Sequence, residues 1–214
     1  MKVGVLISGR GSNLQALIDA CADADFPAEI VTVISNKPGA GGLELAEAAG
    51  IPHQVINHKE FEDRESFDGA LDEALRGAGV ELICSAGFMR ILTDGFVEKW
   101  RNKQLNIHPS LLPSFKGLHV HERSIEAGVR ISGCTVHFVR AEMDDGPIVA
   151  QAAVPVHGDD TASTLAARIL VAEHKIYPLA LKLVAEGKAR VVGEKVIFSG
   201  LDEGDDVPIL SHPR

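Results

Sequence analysis

Asn106 and His108 stand two residues apart in the segment Leu105-Asn106-Ile107-His108-Pro109-Ser110-Leu111-Leu112-Pro113. Pro109 biases His108 away from helical dihedrals and removes the next amide donor, so a short buried strand is predicted to end at the imidazole. In an extended chain positions i and i+2 point the same way, which puts the carboxamide and the imidazole on one face. A carboxamide donor beside a titratable base suits acyl-type transfer, where negative charge grows on a carbonyl oxygen while protons leave an attacking nucleophile. The plainer reading is a strand end whose Asn and His satisfy nearby loop backbone.

Other residues could complete such a centre. In Glu142-Met143-Asp144-Asp145-Gly146-Pro147 one aspartate could orient a histidine and favour its protonated form, although Asp-Gly is also an ordinary hairpin turn and spacing does not choose between Asp144 and Asp145. His119 and His121 would share a face if they lay in a strand, yet no third ligand stands at a familiar zinc spacing, so no metal site is assigned. His137, inside Thr135-Val136-His137-Phe138-Val139, reads as a satisfied sheet residue. Ser8-Gly9-Arg10-Gly11-Ser12-Asn13-Leu14 joins a strand to a helix, where amide N–H groups and the helix dipole favour a phosphate. Leu14 occupies the third-glycine position of a dinucleotide fingerprint and no acidic ribose reader closes the second strand, which favours a mononucleotide or sugar phosphate over NAD. Ser12 and Gln15 could also form an ordinary capping box. Ala86-Gly87-Phe88-Met89-Arg90-Ile91-Leu92, taken by itself, reads first as core, with Arg90 available for a carboxylate.

The elements that must position these residues alternate. Apolar strands are predicted at 3–8, 29–35, 53–56 and 80–85, with helical spacing at 14–21, 42–49 and 61–75. Such alternation implies a parallel sheet covered on both faces. Beyond Gln104 the order is mixed: a strand at 104–107, a Pro-rich loop, a helix near 122–127, strands at 133–140 and 148–155, a long helix over 161–186 interrupted near Pro178, and a closing hairpin over 189–198 around Gly193-Glu194. The 214 residues, 45% hydrophobic, suit one compact domain over 1–200, and the polar, acidic segment 201–214 is expected to be a mobile tail. A net charge of -9 argues against nucleic acid as a general partner, so an anionic small substrate must be held by local Arg, Lys and backbone amides. The run Val3–Ile7 is too short for a secretory segment and no stretch is long enough to span a membrane. Cys21, Cys84 and Cys134 are far apart in apolar surroundings, as expected of buried thiols in a reducing, cytoplasmic compartment.

Taken together, Ile7-Ser8-Gly9-Arg10-Gly11-Ser12-Asn13-Leu14, Ala86–Leu92, Asn106–Pro113 and Asp144-Asp145-Gly146-Pro147 occur in the order found in the phosphoribosylglycinamide formyltransferase family. The chain resembles that folate-dependent family from about Val3 to Ser199, including Asp160-Thr161, Leu165, Arg168, Glu173-His174 and Tyr177-Pro178. The resemblance implies an α/β, three-layer fold with a mostly parallel twisted sheet and a Rossmann-like N-terminal half. It implies transfer of the formyl group of 10-formyltetrahydrofolate to the amine of N1-(5-phospho-D-ribosyl)glycinamide, in de novo purine (IMP) synthesis, without a metal and with a possible homodimer.

By the same resemblance Asn106, His108 and Asp144 form the catalytic group, the family pattern Asp-x-Gly-Pro selecting Asp144 over Asp145. Gly11, Ser12, Asn13, Leu170, Val171, Ala172 and Glu173 would hold the ribonucleotide. Arg64, Met89, Arg90, Ile91, Leu92, Asn106, Arg140, Ala141, Glu142, Met143 and Asp144 would hold the folate, which turns the 86–92 cluster from core into a pterin pocket. Formyltetrahydrofolate hydrolase shares the core motif but normally carries a preceding regulatory domain, and methionyl-tRNA formyltransferase a basic C-terminal one. A nucleotide-binding module without catalysis is disfavoured by the joint presence of Asn106, His108 and Asp144.

Overall fold

A computed structural model describes residues 1–200; the predicted mobile tail at 201–214 lies outside them. Strands β1 (Lys2–Ile7), β2 (Glu29–Ser35), β3 (His53–Val55), β4 (Leu82–Ser85), β5 (Gln104–His108), β6 (Ile131–Phe138) and β7 (Ile148–Pro155) form one sheet in the order β3-β2-β1-β4-β5-β6-β7. The pairs from β3 to β5 are parallel, and β5–β6 and β6–β7 are antiparallel. This is the mixed, mostly parallel sheet that the strand-helix alternation predicts. The strand order reverses between β1 and β4, and the crevice outside such a switch point, at the carboxyl ends of the strands, is where open α/β sheets bind ligands.

Helices cover both faces. In β1 the side chains of Val3, Val5 and Ile7 enter one core with Leu14 and Leu17 of α1 (Ser12–Cys21), while Leu6 enters the other, the period of two expected of a strand buried on both sides. The first core also takes Ala46 of α2 (Gly42–Ala48) and Leu165, Ile169, Tyr177 and Leu181 of α6 (Ala162–Ala185). The second holds Phe67, Leu71 and Leu75 of α3 (Arg64–Gly77) and Phe96 of α4 (Asp94–Lys99), with Trp100 beyond it. Between β5 and β6 lies α5 (Val120–Glu126), and the two-stranded hairpin β8 (Ala189–Val192) and β9 (Lys195–Phe198) follows α6.

Three expectations change. First, α6 runs through Pro178 without interruption. A proline forfeits one helical hydrogen bond, but the turn around it is held by buried Tyr177, Ala180 and Leu181, with the Tyr177 hydroxyl donating to Ser85 O (3.0 Å) and Leu105 O (3.3 Å). Second, α4 has no counterpart in the sequence reading; it is six residues long, starts at the Thr93 cap and is fixed by burying Phe96 and Val97. Third, the Ser12/Gln15 capping box is absent. Gly11 is the N-cap, at φ 81, with no side chain capping the helix, and Gln15 Nε2 instead donates to Asp19.

Candidate active site

The end of β5 carries the centre. Asn106 pairs in register with His137 of β6, and His108 with Thr135, so Asn106, His108 and His137 share one face of the sheet. Beyond His108, Thr135 Oγ1 donates to Ser110 O (2.7 Å) and accepts from Leu112 N (3.1 Å), which anchors the Pro-rich loop. That loop brings Phe115 O to 3.0 Å from His108 Nε2. The loop between β6 and β7 folds back onto the same face, where Asp144 Oδ2 lies 3.4 Å from His108 Nδ1 and accepts from Gly117 N at 2.8 Å. Both imidazole nitrogens thus face oxygen atoms, a carbonyl and a carboxylate. Asp144 is 11% exposed and sits at φ 52, a conformation aspartate tolerates. Asp145 is 53% exposed and pairs with Lys116. Of the two, Asp144 is the one at the imidazole.

His137 is the satisfied sheet residue that its sequence context predicts, and it also borders this cluster. Its Nδ1 faces the Phe138 carbonyl at 3.0 Å and can meet it only by donating. The Nε2 is then an acceptor, 3.3 Å from Asn106 Nδ2. Burial, the main cause, lowers the His137 pKa and keeps the ring neutral. A neutral His137 therefore fixes which end of the Asn106 amide faces the sheet. The hint in the sequence was that His137 falls opposite Asn106 only if β5 and β6 are antiparallel neighbours.

On one side of this centre is the start of α1. Gly11, at φ 81, would place a Cβ 2.6 Å from Gly42 Cα, so the glycine is required by close packing of the loop on α2. The first-turn amides of α1, uncapped by any side chain, remain available to an anion. Asn13 is buried and donates to Glu173 Oε2 at 2.7 Å. Burial raises the Glu173 pKa, opposed by the Asn13 hydrogen bond and by the charges of His174 and His108. Leu170 and Ala172 are half-buried on α6, while Val171 is exposed.

On the other side, the 86–92 segment is divided. Phe88 and Leu92 pack against the second core, whereas Met89 and Ile91 are 67% and 60% exposed. Met89 N is held by Ser8 Oγ at 2.7 Å, and Ser8 Oγ donates to Asn36 Oδ1 at 2.6 Å, tying this segment to the end of β1. The Arg90 guanidinium lies 5.0 Å above the Phe67 ring, and its buried Nε has no hydrogen-bond partner among the described residues. Met143 and Leu118, also exposed, add apolar surface beside Gly117 and Asp144; Leu118 was not singled out in the sequence. Ala141 and Glu142 are exposed. Arg64 lies exposed on the first turn of α3, its side chain without a hydrogen bond among the described residues. Arg140 is buried, and its guanidinium is engaged by Glu194, Asn102 and Val139 O.

His119 caps α5 at φ 56 and His121 lies within the helix, so they do not share a strand face. Among the described residues no group of three or more His, Cys, Asp or Glu could hold a metal ion. No helix among them is long and apolar enough to cross a membrane. Cys84 and Cys134 are buried free thiols, pushed up to about 12 by burial, and Cys21 is half-buried at about 11.

An amide, an imidazole and a carboxylate thus gather at the carboxyl edge of a mostly parallel sheet. Residues 1–181 match the formyl transferase family, and the chain belongs to it. Within that family it is 47% identical over 199 residues to phosphoribosylglycinamide formyltransferase of Haemophilus influenzae, covering 93% of this chain and 94% of the relative. It is 56% identical over 190 residues to the trifunctional purine biosynthetic protein adenosine-3 of Bos taurus, covering 89% of this chain but 19% of that much longer protein. The structure of glycinamide ribonucleotide transformylase 1 from Symbiobacterium toebii superposes with a TM-score of 0.90 at 46% identity, over 92% of this chain and 93% of that one.

Proposed function

We propose that this protein transfers the formyl group of 10-formyltetrahydrofolate to the amine of N1-(5-phospho-D-ribosyl)glycinamide, giving the N-formyl ribonucleotide and tetrahydrofolate in purine synthesis. The observation that carries the reading is the convergence of Asn106, His108 and Asp144 on one face of β5 and β6. The likeness to phosphoribosylglycinamide formyltransferase over nearly its whole length supplies the substrates.

The uncapped amides of Gly11, Ser12 and Asn13 hold the phosphate at the positive end of α1, and the 170–173 turn of α6 borders the same ligand. Buried Glu173, already accepting from Asn13, receives the amino end of the ribonucleotide. The exposed Met89, Ile91 and Met143, with the backbone of Leu92 and of 140–142, wall the flat pterin, while Arg90 and Arg64 meet the folate carboxylates. The free amine attacks the formyl carbon on N10, and the carbonyl π electrons move to oxygen. Asn106 Nδ2–H and the protonated His108, its Nε2–H turned from Phe115 O to the oxygen, stabilise that oxyanion, Asp144 stabilises the imidazolium at Nδ1, and the oxygen-to-carbon pair then returns as the C–N10 bond breaks. The proton lost by the attacking nitrogen ends on N10. No covalent enzyme intermediate is required, since the acceptor amine is itself the nucleophile. The test is turnover of 10-formyltetrahydrofolate with the ribonucleotide present or omitted. Transfer requires the acceptor; formate release at a similar rate without it would instead make the protein a hydrolase.

A further inference from the structure

The match to the formyl transferase family ends at residue 181, within α6, and the β8–β9 hairpin lies beyond it. In the turn of that hairpin, Glu194 reaches back toward the catalytic loop. Its Oε2 accepts from Arg140 Nε at 2.8 Å and its Oε1 from Arg101 Nη2 at 2.5 Å. The Arg140 side chain is 6% exposed, so this is a buried cation, and its other donors go to neutral oxygens, Val139 O at 3.0 Å and Asn102 Oδ1 at 2.8 Å. Among the described residues Glu194 is the carboxylate that neutralises it. A buried cation deprived of its counter-charge is strongly destabilised in place.

Arg140 opens the loop that carries Asp144. The other end of the loop is closed by the 2.8 Å hydrogen bond from Phe138 N to Pro147 O, and Gly146 passes so close that a Cβ there would lie 1.7 Å from Phe138 O. Asp144 therefore stands between two anchors, one built into the β6–β7 ladder and one provided by a hairpin that follows α6 in sequence.

We propose that Glu194 is a positioning residue for formyl transfer: by neutralising Arg140 it holds the 140–144 loop so that Asp144 meets His108 and Ala141–Met143 face the folate. This rests on the catalytic reading of Asp144 above. The position of Glu194 on an exposed turn means that its replacement leaves both hydrophobic cores intact.

The test is steady-state kinetics of Glu194→Gln in the full chain with each substrate varied in turn, beside a thermal melt. We expect kcat to fall about fivefold to tenfold and the folate KM to rise by a similar factor, with the ribonucleotide KM changed less than about twofold. Glu194→Asp, which keeps the charge, should recover at least about half of the lost kcat. Arg190→Gln, on the exposed face of β8, should change none of these values. In an Asp144→Asn background, Glu194→Gln should lower kcat by less than about twofold, because the loop it holds no longer presents the working carboxylate, while the rise in folate KM persists. Normal kcat and folate KM in Glu194→Gln would overturn the proposal, as would equal rises in both KM values with a fall in Tm, or full multiplicativity with Asp144→Asn. Failure of the catalytic reading has a different signature: Asp144→Asn alone would then turn over at a near-normal rate.

Discussion

Replacing Asp144 by Asn removes one charge while keeping the shape of the side chain and an oxygen for Gly117 N–H. Two unit charges at the 3.4 Å separation of Asp144 Oδ2 and His108 Nδ1 attract by roughly 5 kcal/mol at an effective dielectric constant of about 20. The amide dipole and entering water recover part of this, leaving a loss of roughly 3 kcal/mol for stabilising the imidazolium as the oxyanion forms. At 1.4 kcal/mol per factor of ten, kcat should fall by about 10². Ligand affinities should change much less, because the imidazolium that Asp144 supports acts on the oxyanion, a charge present only in the transition state. Asp145→Asn is the control: it is half-exposed against Lys116, and kcat should stay within about twofold of the wild type. Asp144→Asn combined with His108→Ala should cost far less than the product of the single losses, as residues acting as one unit do. The assay is initial-rate formyl transfer at saturating concentrations of both substrates. A kcat for Asp144→Asn within about threefold of the wild type, or equal effects at Asp144 and Asp145, would refute the reasoning.

Gly11→Ala places a Cβ 2.6 Å from Gly42 Cα at a φ of 81; it should lower stability by about 1–3 kcal/mol, read as a fall in Tm, and raise the ribonucleotide KM, and an unchanged Tm would contradict the packing argument. Met89→Ser with Ile91→Ser removes apolar surface that is already exposed, so the folate KM should rise about tenfold while Tm holds, whereas a large fall in Tm would mean that these side chains belong to the core. Burial raises the Glu173 pKa, so the folded state holds its proton to higher pH than the unfolded chain and stability is lost as pH rises from the usual carboxylate range through the raised value. Glu173→Gln should therefore raise Tm at pH 8 relative to the wild type, with the difference shrinking toward pH 4, while the ribonucleotide KM increases; a lower Tm at pH 8 would contradict the assignment.

Much of the framework was legible because its signals are local. The apolar runs of β2 and β7 end where the chain turns, and Pro109 stops β5 at His108 as its geometry demands. The Asn106–His108 pair and its shared face follow from strand periodicity alone, and the choice of Asp144 over Asp145 follows from the family pattern; Asp144 lies 3.4 Å from the imidazole. What escaped was set by tertiary contacts. Pro178 stays helical because Tyr177 is fixed from β4 and β5, and Ser12 does not cap because Gly11, pressed on Gly42, already occupies the cap. His137 becomes part of the centre only through the β5–β6 register, and Arg140 meets Glu194 across 54 residues, a separation over which spacing carries no information. The 86–92 cluster divides between core and open surface because Phe88 and Leu92 face the second core while Met89 and Ile91 do not.

The central claim is that both substrates meet at Asn106 and His108, with Asp144 behind the imidazole. It is tested most directly by a crystal structure of the protein bound to a stable mimic of the tetrahedral adduct that joins the ribonucleotide amine to the folate N10. The account predicts the adduct oxygen within about 3.2 Å of both Asn106 Nδ2 and a His108 ring nitrogen, the phosphate on the amides of Gly11–Asn13, and the pterin against Met89–Leu92. An adduct oxygen turned to solvent, or held by groups other than Asn106 and His108, would contradict it.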